Sequence, residues 1–312
     1  MDWADRIGRR VRLRDLHIVL AVAERGSMAK ASAHLAVSHP VVSKTISDLE
    51  RTLGVQLFDR NTKGVELTAY GRALLKCGVS VFDEMRQGLK QIEFLTQPNS
   101  GDLGIGCTEI AVAGILPGIT DRFLKKYPAV NLRMVLTDTA MLAFNELRDR
   151  KVELQIGRMP KSFPDDELTA EPLFDEPFLA VAGARSAWFR RSRLKLADLA
   201  DAAWVLPPYD SVPGALIQEL FRAAGVPPPR PSVATLSIEL TSKLLGGGRY
   251  IGLLPRSVVR LSGKRAGLKA LPVRFDDPHI AVGIVTVKNR TLSPLAERFI
   301  DCAREVASGI AE

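Results

Sequence analysis

From Thr68 to about Thr96 the chain reads as a single helix with no breaker stronger than glycine. Tyr70, Leu74, Cys77, Val81, Met85, Leu89 and Ile92 recur every three or four residues along it, the spacing of one helical face. At 1.5 Å per residue such a helix is about 43 Å long. A stripe of that length needs something to cover it. It is either a core helix of the region that follows or the seam of a dimer, and a second copy of the same helix is the more economical partner. The run also divides the chain. Residues 1–67 precede it, "TQPNSGD" closes it as a linker, and 101–312 follow. The expected organisation is therefore a head at 1–67, a dimerisation helix and hinge at 68–100, and a large C-terminal region at 101–312.

The head reads as three short helices. Leu13, Leu16, Leu20 and Ala23 fall at helical spacing, "RGS" breaks the pattern, and "MAKASAHLA" resumes it with Ser27 as N-cap. "VSHP" then opens "SHPVVSKTISDLE", with Ser38 as N-cap and Pro40 in the first turn, where a missing N–H costs nothing. Val42, Ile46, Leu49 and Leu53 form its buried stripe and Gly54 ends it. Two helices joined by so few residues are the sequence form of a helix-turn-helix. "VQLFDRNTKGVELT" adds two short strands around an "NTKG" turn, with Gly64 free to take positive φ. That hairpin is a wing, and Val55, Leu57 and Phe58 point inward from it.

Beyond the linker, apolar strands alternate with helices. Strands are expected at "LGIG" (103), "NLRMVL" (131), "ELQIG" (153), "FLAVAG" (178), "WVL" (204), "YIGLL" (250) and "IAVGIVTV" (280), with helices at 115–126, 141–150, 212–224 and 238–245. This alternation implies α/β architecture with mainly parallel sheets.

Composition excludes several classes. The 312 residues are 46% hydrophobic and 25% charged, ordinary globular values for two or three domains. No apolar run reaches the roughly 18 residues of a membrane span, and "MDWADRIGRRVRLRD" lacks the apolar stretch of a signal peptide, so the expectation is a cytoplasmic protein without a membrane partner. Cys77, Cys107 and Cys302 are too scattered for a disulfide framework or a metal site, and no metal or cofactor is expected. There is no G-x-S-x-G elbow, dinucleotide fingerprint or P-loop, so no catalytic residue is assigned. The net charge of +8 favours a polyanionic partner, yet residues 1–67 hold only 11 Lys and Arg against 8 Asp and Glu.

With these residues in view, the chain resembles the LysR-type transcriptional regulators over nearly its full length. The resemblance is densest where "S-x-P-x-V-S-x-x-I-x-x-L-E" is followed by "LGVQLFDR" and "LTAYG", and it continues through "GILPGITDRFLKKYPAVNLRM", "LRDRKVELQIGR" and "GGGRYIGLLP". "WVLPP" is faintly similar to the subgroup of galactose-binding-protein and protocatechuate-pathway regulators. His39 stands where the family often has Gln, Arg150 occupies a usual glycine position, and Gln155 replaces a small or apolar residue. The resemblance implies a winged helix-turn-helix, a long dimerisation helix and a two-lobed α/β sensor of periplasmic-binding-protein type. Lobe 1 is expected at about 101–172 and 274–312, and lobe 2 at about 173–273. It further implies homodimers or homotetramers, an operator in double-stranded DNA, a small metabolite effector and contact with RNA polymerase.

Candidate residues follow from position and chemistry. Ser38, His39, Pro40, Ser43, Lys44 and Ser47 share the exposed side and N-terminal end of the third helix. Short hydroxyls let a helix sit deep in a major groove, Lys44 reaches a base acceptor or phosphate, and helix N–H groups suit phosphate. Arg60 and Lys63 of the wing would meet backbone or minor groove. Ser27 holds a phosphate or merely caps its helix. In the sensor, strand C-terminal ends face the cleft of an open α/β sheet, which selects Cys107, Thr108, Thr137 and Asp138, Gly157 and Arg158, with Ser211 and Ser237 from the second lobe. Such hydroxyls with one Arg suit an anionic or hydroxylated metabolite; Arg158 as an ordinary ion-pair partner is an equal reading, and Cys107 as plain packing is the simpler one. Two rival functions stand beside the regulator: a cytosolic small-molecule binding protein whose N-terminal region only dimerises it, and an enzyme on the same fold. Neither explains why the third helix, the wing and the hydroxyl-rich face occur together.

Overall fold

The computed structural model describes residues 10–61, 64–137, 144–159, 166–191, 194–261, 263, 266–273, 275 and 281–311. Contacts divide the chain into two units, Met1–Gln87 and Gly88–Glu312.

The first unit begins with α1 (Leu13–Arg25), α2 (Met28–His34) and α3 (His39–Leu53). Val19, Val22, Ala31, Val42 and Ile46 are fully buried where the three meet. Ala31 is small enough for α2 to lie close against its neighbours. Ser27 Oγ accepts the Lys30 N–H at 3.5 Å, as a cap should. Ser38 has the extended backbone of an N-cap, but its side chain makes no capping bond, so α3 starts on backbone geometry and Pro40 alone. The wing is β1 (Phe58–Asn61) paired antiparallel with β2 (Gly64–Leu67). Gly64 takes φ 138°, and a Cβ there would stand 2.6 Å from the Gly26 carbonyl oxygen. The Val65 N–H donates to that same oxygen at 3.2 Å, which seats the wing on the α1–α2 turn. Glu50 Oε1 accepts the Leu57 N–H at 2.8 Å and the Phe58 N–H at 3.3 Å, tying α3 to the start of the wing.

Helix α4 (Ala69–Thr96) follows as one uninterrupted element. Gly71 and Gly78 are buried, lying against the Leu57 carbonyl and the Leu20 side chain, and the His17 and Phe82 rings stand 5.7 Å apart. Leu74 packs on the head's core. Val81 is half-buried, and beyond it the stripe faces outward: Met85 is 47% exposed, and Leu89 and Ile92 are each 59% exposed.

The second unit contains β3 (Ser100–Cys107), α5 (Glu109–Ala113), α6 (Leu116–Lys126), β4 (Ala129–Leu136), α7 (Asn145–Arg148), β5 (Leu154–Arg158), β6 (Leu168–Asp175), β7 (Phe178–Gly183), β8 (Trp204–Leu206), α8 (Val212–Ala223), β9 (Val233–Ala234), α9 (Ile238–Gly246), β10 (Ile251–Pro255), α10 (Arg256–Leu261), β11 (Leu268–Ala270), β12 (Ala281–Val287) and α11 (Pro294–Ala311). They form two five-stranded sheets, ordered β4-β3-β5-β12-β6 in lobe 1 and β11-β7-β10-β8-β9 in lobe 2. The chain leaves the first sheet at Glu176–Pro177 and returns to it with β12.

The sheets are mixed, which corrects the mainly parallel expectation. β12 runs antiparallel to both β5 and β6, and β7 antiparallel to both β10 and β11. Strand direction depends on which neighbour a strand finds, and local patterning does not encode that. Strands β6, β9 and β11 and helices α5, α10 and α11 were not foreseen. β6 carries Pro172, which argues against a strand unless it lies at an edge or bulge. Both hold here, because β6 is an edge strand and its register against β12 shifts beside Pro172. Of the helix expected at 141–150, the described part is Asn145–Arg148, followed by Arg150 in the left-handed region at φ 59°. That conformation accounts for a glycine preference there, since a side chain pays a steric cost at positive φ.

Phe123, Phe299, Ile105 and Ile156 centre the core of lobe 1 between its sheet and helices α6 and α11. Trp204, Phe221 and Ile217 centre that of lobe 2. Near the linker, Glu153 is 3% exposed. Its Oε1 accepts Lys90 Nζ of α4 at 2.5 Å and its Oε2 the Ser293 N–H at 3.0 Å, while Lys90 also donates to the Asp102 carbonyl at 3.1 Å.

Candidate functional site

On α3, Ser38, His39, Pro40, Lys44 and Ser47 are exposed and Ser43 is half-buried. Val42, Ile46 and Leu49 occupy the opposite, buried side. Among the described residues, the side chains of Ser38, His39, Ser43, Lys44 and Ser47 make no hydrogen bond within the chain, whereas the neighbouring Asp48 and Arg51 pair with each other. The face is thus a set of polar groups and one cation with no partner among the described residues. Ser27 is half-buried and committed as a cap. Arg60 lies in β1 with its side chain outside the described residues, and Lys63 is outside them altogether.

The sensor holds a cavity of about 70 Å³ between its two sheets, with room for several waters or a small organic group. Thr108 and Arg158 enter it from lobe 1. Phe178, Val205, Leu236, Ile238 and Leu253 give it an apolar wall, and Glu109 and Thr241 are among its few other polar residues. Thr108 follows β3 and is 1% exposed, and its Oγ1 makes no hydrogen bond within the chain. A Cβ on Gly157 would overlap the Thr108 side chain, so the glycine is what lets Thr108 stand against β5. The Arg158 guanidinium carbon lies 5.2 Å from the centre of the Phe178 ring, a favourable cation–π distance. Beside it, Glu176 at the lobe crossing accepts the Ser257 N–H at 2.9 Å. Burial pushes the Glu176 carboxyl above its ordinary range, opposed by its bonds to Ser257 and by the charges of Arg256 and Arg158.

The other residues selected by strand-end position do not reach this cavity. Thr137 donates its hydroxyl to the Cys107 carbonyl at 3.2 Å. Cys107 is buried behind it, with Sγ 3.5 Å from the Val135 carbonyl oxygen, and burial pushes its thiol up to about 11, away from the reactive thiolate. Ser211 caps α8, accepting the Gly214 N–H at 3.2 Å and donating to the Pro208 carbonyl at 2.6 Å. Ser237 caps α9 through the Leu240 N–H at 3.2 Å, although its neighbours Thr235, Leu236 and Ile238 line the cavity. Asp138 lies outside the described residues. The apolar wall was missed because the strand-end rule was applied only to polar side chains. At the ends of β8 and β10 it selects Pro207 and Pro255, which do line the cavity. Among the described residues there is no cluster of His, Cys, Asp and Glu that could hold a metal, and no helix long and apolar enough to cross a membrane.

A helix-turn-helix with a wing, a long helix and a two-lobed sensor with an interlobe cavity together define a ligand-responsive DNA-binding protein. The family model for the LysR substrate binding domain matches residues 96–308, and that for the bacterial regulatory helix-turn-helix protein of the lysR family matches 13–72. The chain belongs to the LysR family of transcriptional regulators. It is 26% identical over 299 residues to the HTH-type transcriptional regulator GbpR of Azospirillum brasilense, covering 95% of this chain and 86% of that one. Its fold is similar to a full-length OxyR variant from Pseudomonas aeruginosa, with a TM-score of 0.66 at 22% identity over 94% of this chain and 97% of that one. It is also similar to full-length CbnR in complex with its target DNA, with a TM-score of 0.55 at 22% identity over 95% and 100% of the two chains. A small-molecule binding protein with a head used only for dimerisation is not favoured, since the head itself matches the DNA-binding family.

Proposed function

We propose that the effector is a small organic acid with one anionic group and an apolar body. The observation that carries this is the presence of Arg158 and the unbonded Thr108 hydroxyl together on a mainly apolar cavity wall. A guanidinium offers a planar fork that matches a carboxylate. Glu109, half-exposed on the same lining, disfavours a second negative charge on the ligand. Thermal-shift screening of the full chain tests this reading: monocarboxylates with apolar bodies should raise the melting temperature more than dicarboxylates or sugars of similar size. A ranking led by neutral sugars would overturn it.

In this reading α3 enters the major groove of the operator. Ser43 and Lys44 contact base edges, with Ser38, His39, Pro40 and Ser47 around them and the wing's Arg60 and Lys63 on the backbone. Ser43→Ala and Lys44→Ala should each weaken operator binding by about 1–3 kcal/mol and relax sequence preference. Anisotropy titrations against the operator and single-base variants measure both effects, and full-strength binding by the double variant would remove α3 from the groove.

Two chains pair through the outward stripe of α4. Met85→Asp with Leu89→Asp should dissociate the dimer in sedimentation, because both side chains are exposed in the single chain and neither substitution disturbs its own core. Leu74 is unsuited to the test because it packs on the head. The effector shifts the balance between arrangements of the two lobes only by binding them unequally. That changes how the paired heads meet DNA, and through it the access of RNA polymerase in the cytoplasm.

A further inference from the structure

The positive charge of this DNA-binding protein does not reside mainly in its head. Residues 178–270, which span β7 to β11, hold 14 Lys and Arg against 5 Asp and Glu, a net of +9, so the rest of the chain nets −1. Within that lobe the cations collect at one end. Arg185 follows β7, Arg190 and Arg191 close the short helical turn Ala187–Arg190, Lys195 comes soon after, Arg249 precedes β10, and Lys269 lies in β11. The backbone brings the end of β7, the approach to β10 and the start of β11 together: the Ala184 N–H donates to the Gly267 carbonyl at 2.7 Å, and Gly183 lies against residues 245–248. This is the end of the sheet away from the cavity, since β7 starts at the cavity with Phe178 and β10 finishes there at Leu253–Pro255.

All six cations are exposed. Among the described residues none of them pairs with a carboxylate. Lobe 1 behaves differently: Arg122, Lys125, Lys126, Arg148, Lys151 and Arg304 each hold an acid. Two of the lobe 2 guanidiniums are also pre-positioned, with Arg191 4.8 Å over the Trp188 ring and Arg249 5.3 Å over the Tyr250 ring. Stacking covers one face of each and leaves the N–H edge open, the edge that binds phosphate oxygens.

We propose that this end of lobe 2 is a second DNA-contact surface, which takes the phosphate backbone of duplex DNA outside the base-reading site. The occupant is nucleic acid rather than an acidic protein because the patch has no exposed apolar centre among the described residues: its half-buried Trp188 and Tyr250 rings lie beneath Arg191 and Arg249. The large hydrophobic residues exposed in lobe 2 among the described residues are Leu240 and Leu261, and neither lies on these segments. Protein interfaces are built around a desolvated apolar core, whereas backbone contacts to DNA need only well-placed cations. Because the contact sits on one lobe, a change in the angle between lobes moves it, and the effector acquires a hold on DNA that does not pass through the head.

The test is the salt dependence of binding of the full-length protein to a long duplex of mixed sequence. The Arg185→Ala/Arg190→Ala/Arg191→Ala/Arg249→Ala variant should lower the magnitude of the slope of log K against log salt by about 3.6, at about 0.9 for each phosphate no longer neutralised. The matching set of four Arg→Lys substitutions should keep most of the slope, because the interaction is one of charge. Arg122→Ala with Lys125→Ala, which removes cations already paired in lobe 1, should leave it unchanged. An unaltered slope in the four-alanine variant overturns the proposal, and so does a larger loss of affinity for poly-glutamate than for the duplex at equal salt, which would assign the face to an acidic protein.

Discussion

Glu153→Ala is expected to destabilise the C-terminal unit by about 3–5 kcal/mol, the range for removing one member of a buried ion pair. Three features depend on this one carboxylate. It neutralises Lys90, whose side chain is 25% exposed, it accepts the Ser293 N–H ahead of α11, and it stands at the start of β5. Alanine leaves the ammonium without its counter-charge, with the Asp102 carbonyl and water as its remaining partners, and the N–H without an acceptor. Glu153→Gln keeps an acceptor for Ser293 and loses only the charge, so its cost should fall between the parent and alanine. Urea unfolding of the full chain, followed by a probe in the C-terminal unit, measures the loss. A change below about 1 kcal/mol would mean that Lys90 finds other partners and the pair does not anchor the helix.

Arg158→Ala should weaken effector binding by about 1.5–3 kcal/mol, the span measured for hydrogen bonds to charged groups, or roughly 10- to 150-fold in affinity. Arg158→Lys should recover only part of this, because a point charge cannot copy the guanidinium fork. Thr108→Val nearly conserves volume and removes the one hydroxyl that the cavity leaves unbonded, and it should cost less than the arginine change. Calorimetric titration of the metabolite found by thermal shift measures all three. Affinity unchanged in both Arg158→Ala and Thr108→Val would place the ligand elsewhere. The cation–π interaction with Phe178 is lost in Arg158→Ala and altered in Arg158→Lys, so a melting curve without ligand is the necessary companion measurement.

The head was legible almost residue by residue because its signals are local. Apolar spacing, the "RGS" and "VSHP" breaks and the "NTKG" turn each concern a handful of neighbouring positions, and the structure repeats them as α1, α2, α3 and the wing. The long helix was legible for the same reason, and exposure of Met85, Leu89 and Ile92 shows that its stripe does not turn into its own core. In the sensor the long strands were readable. β9 has two residues, too few to show a period, β11 (Leu268–Ala270) lacks the continuous apolar run that marked the equally short β8, and β6 was hidden by Pro172. α11 was overlooked although Leu295, Phe299, Cys302 and Ala303 repeat at helical spacing.

The site divided along a similar line. Position at a strand end brought out Thr108 and Arg158, but it could not separate them from Ser211, a helix cap. The signal for that was present: Ser211 stands two residues before Pro213, as Ser38 stands two before Pro40, and serine ahead of a first-turn proline reads first as a cap. The apolar wall was legible only in part: the strand-end rule reaches Pro207 and Pro255, whereas Val205, Leu236 and Leu253 look like any buried residues until two sheets face each other.

The position of β12 between β5 and β6 bears on how the chain emerges from the ribosome. Lobe 2 draws all five of its strands from one continuous stretch, so it can close its sheet while synthesis is still under way. Lobe 1 cannot: when its first four strands have been made, the slot between β5 and β6 is still empty, and it stays empty until the whole of lobe 2 has passed. For that interval β5 and the proline-bearing β6 present open edges to any neighbouring nascent chain, the condition under which unpaired strands aggregate. Slow decoding after residue 270 should therefore lower the yield of folded protein more than the same delay within residues 178–270.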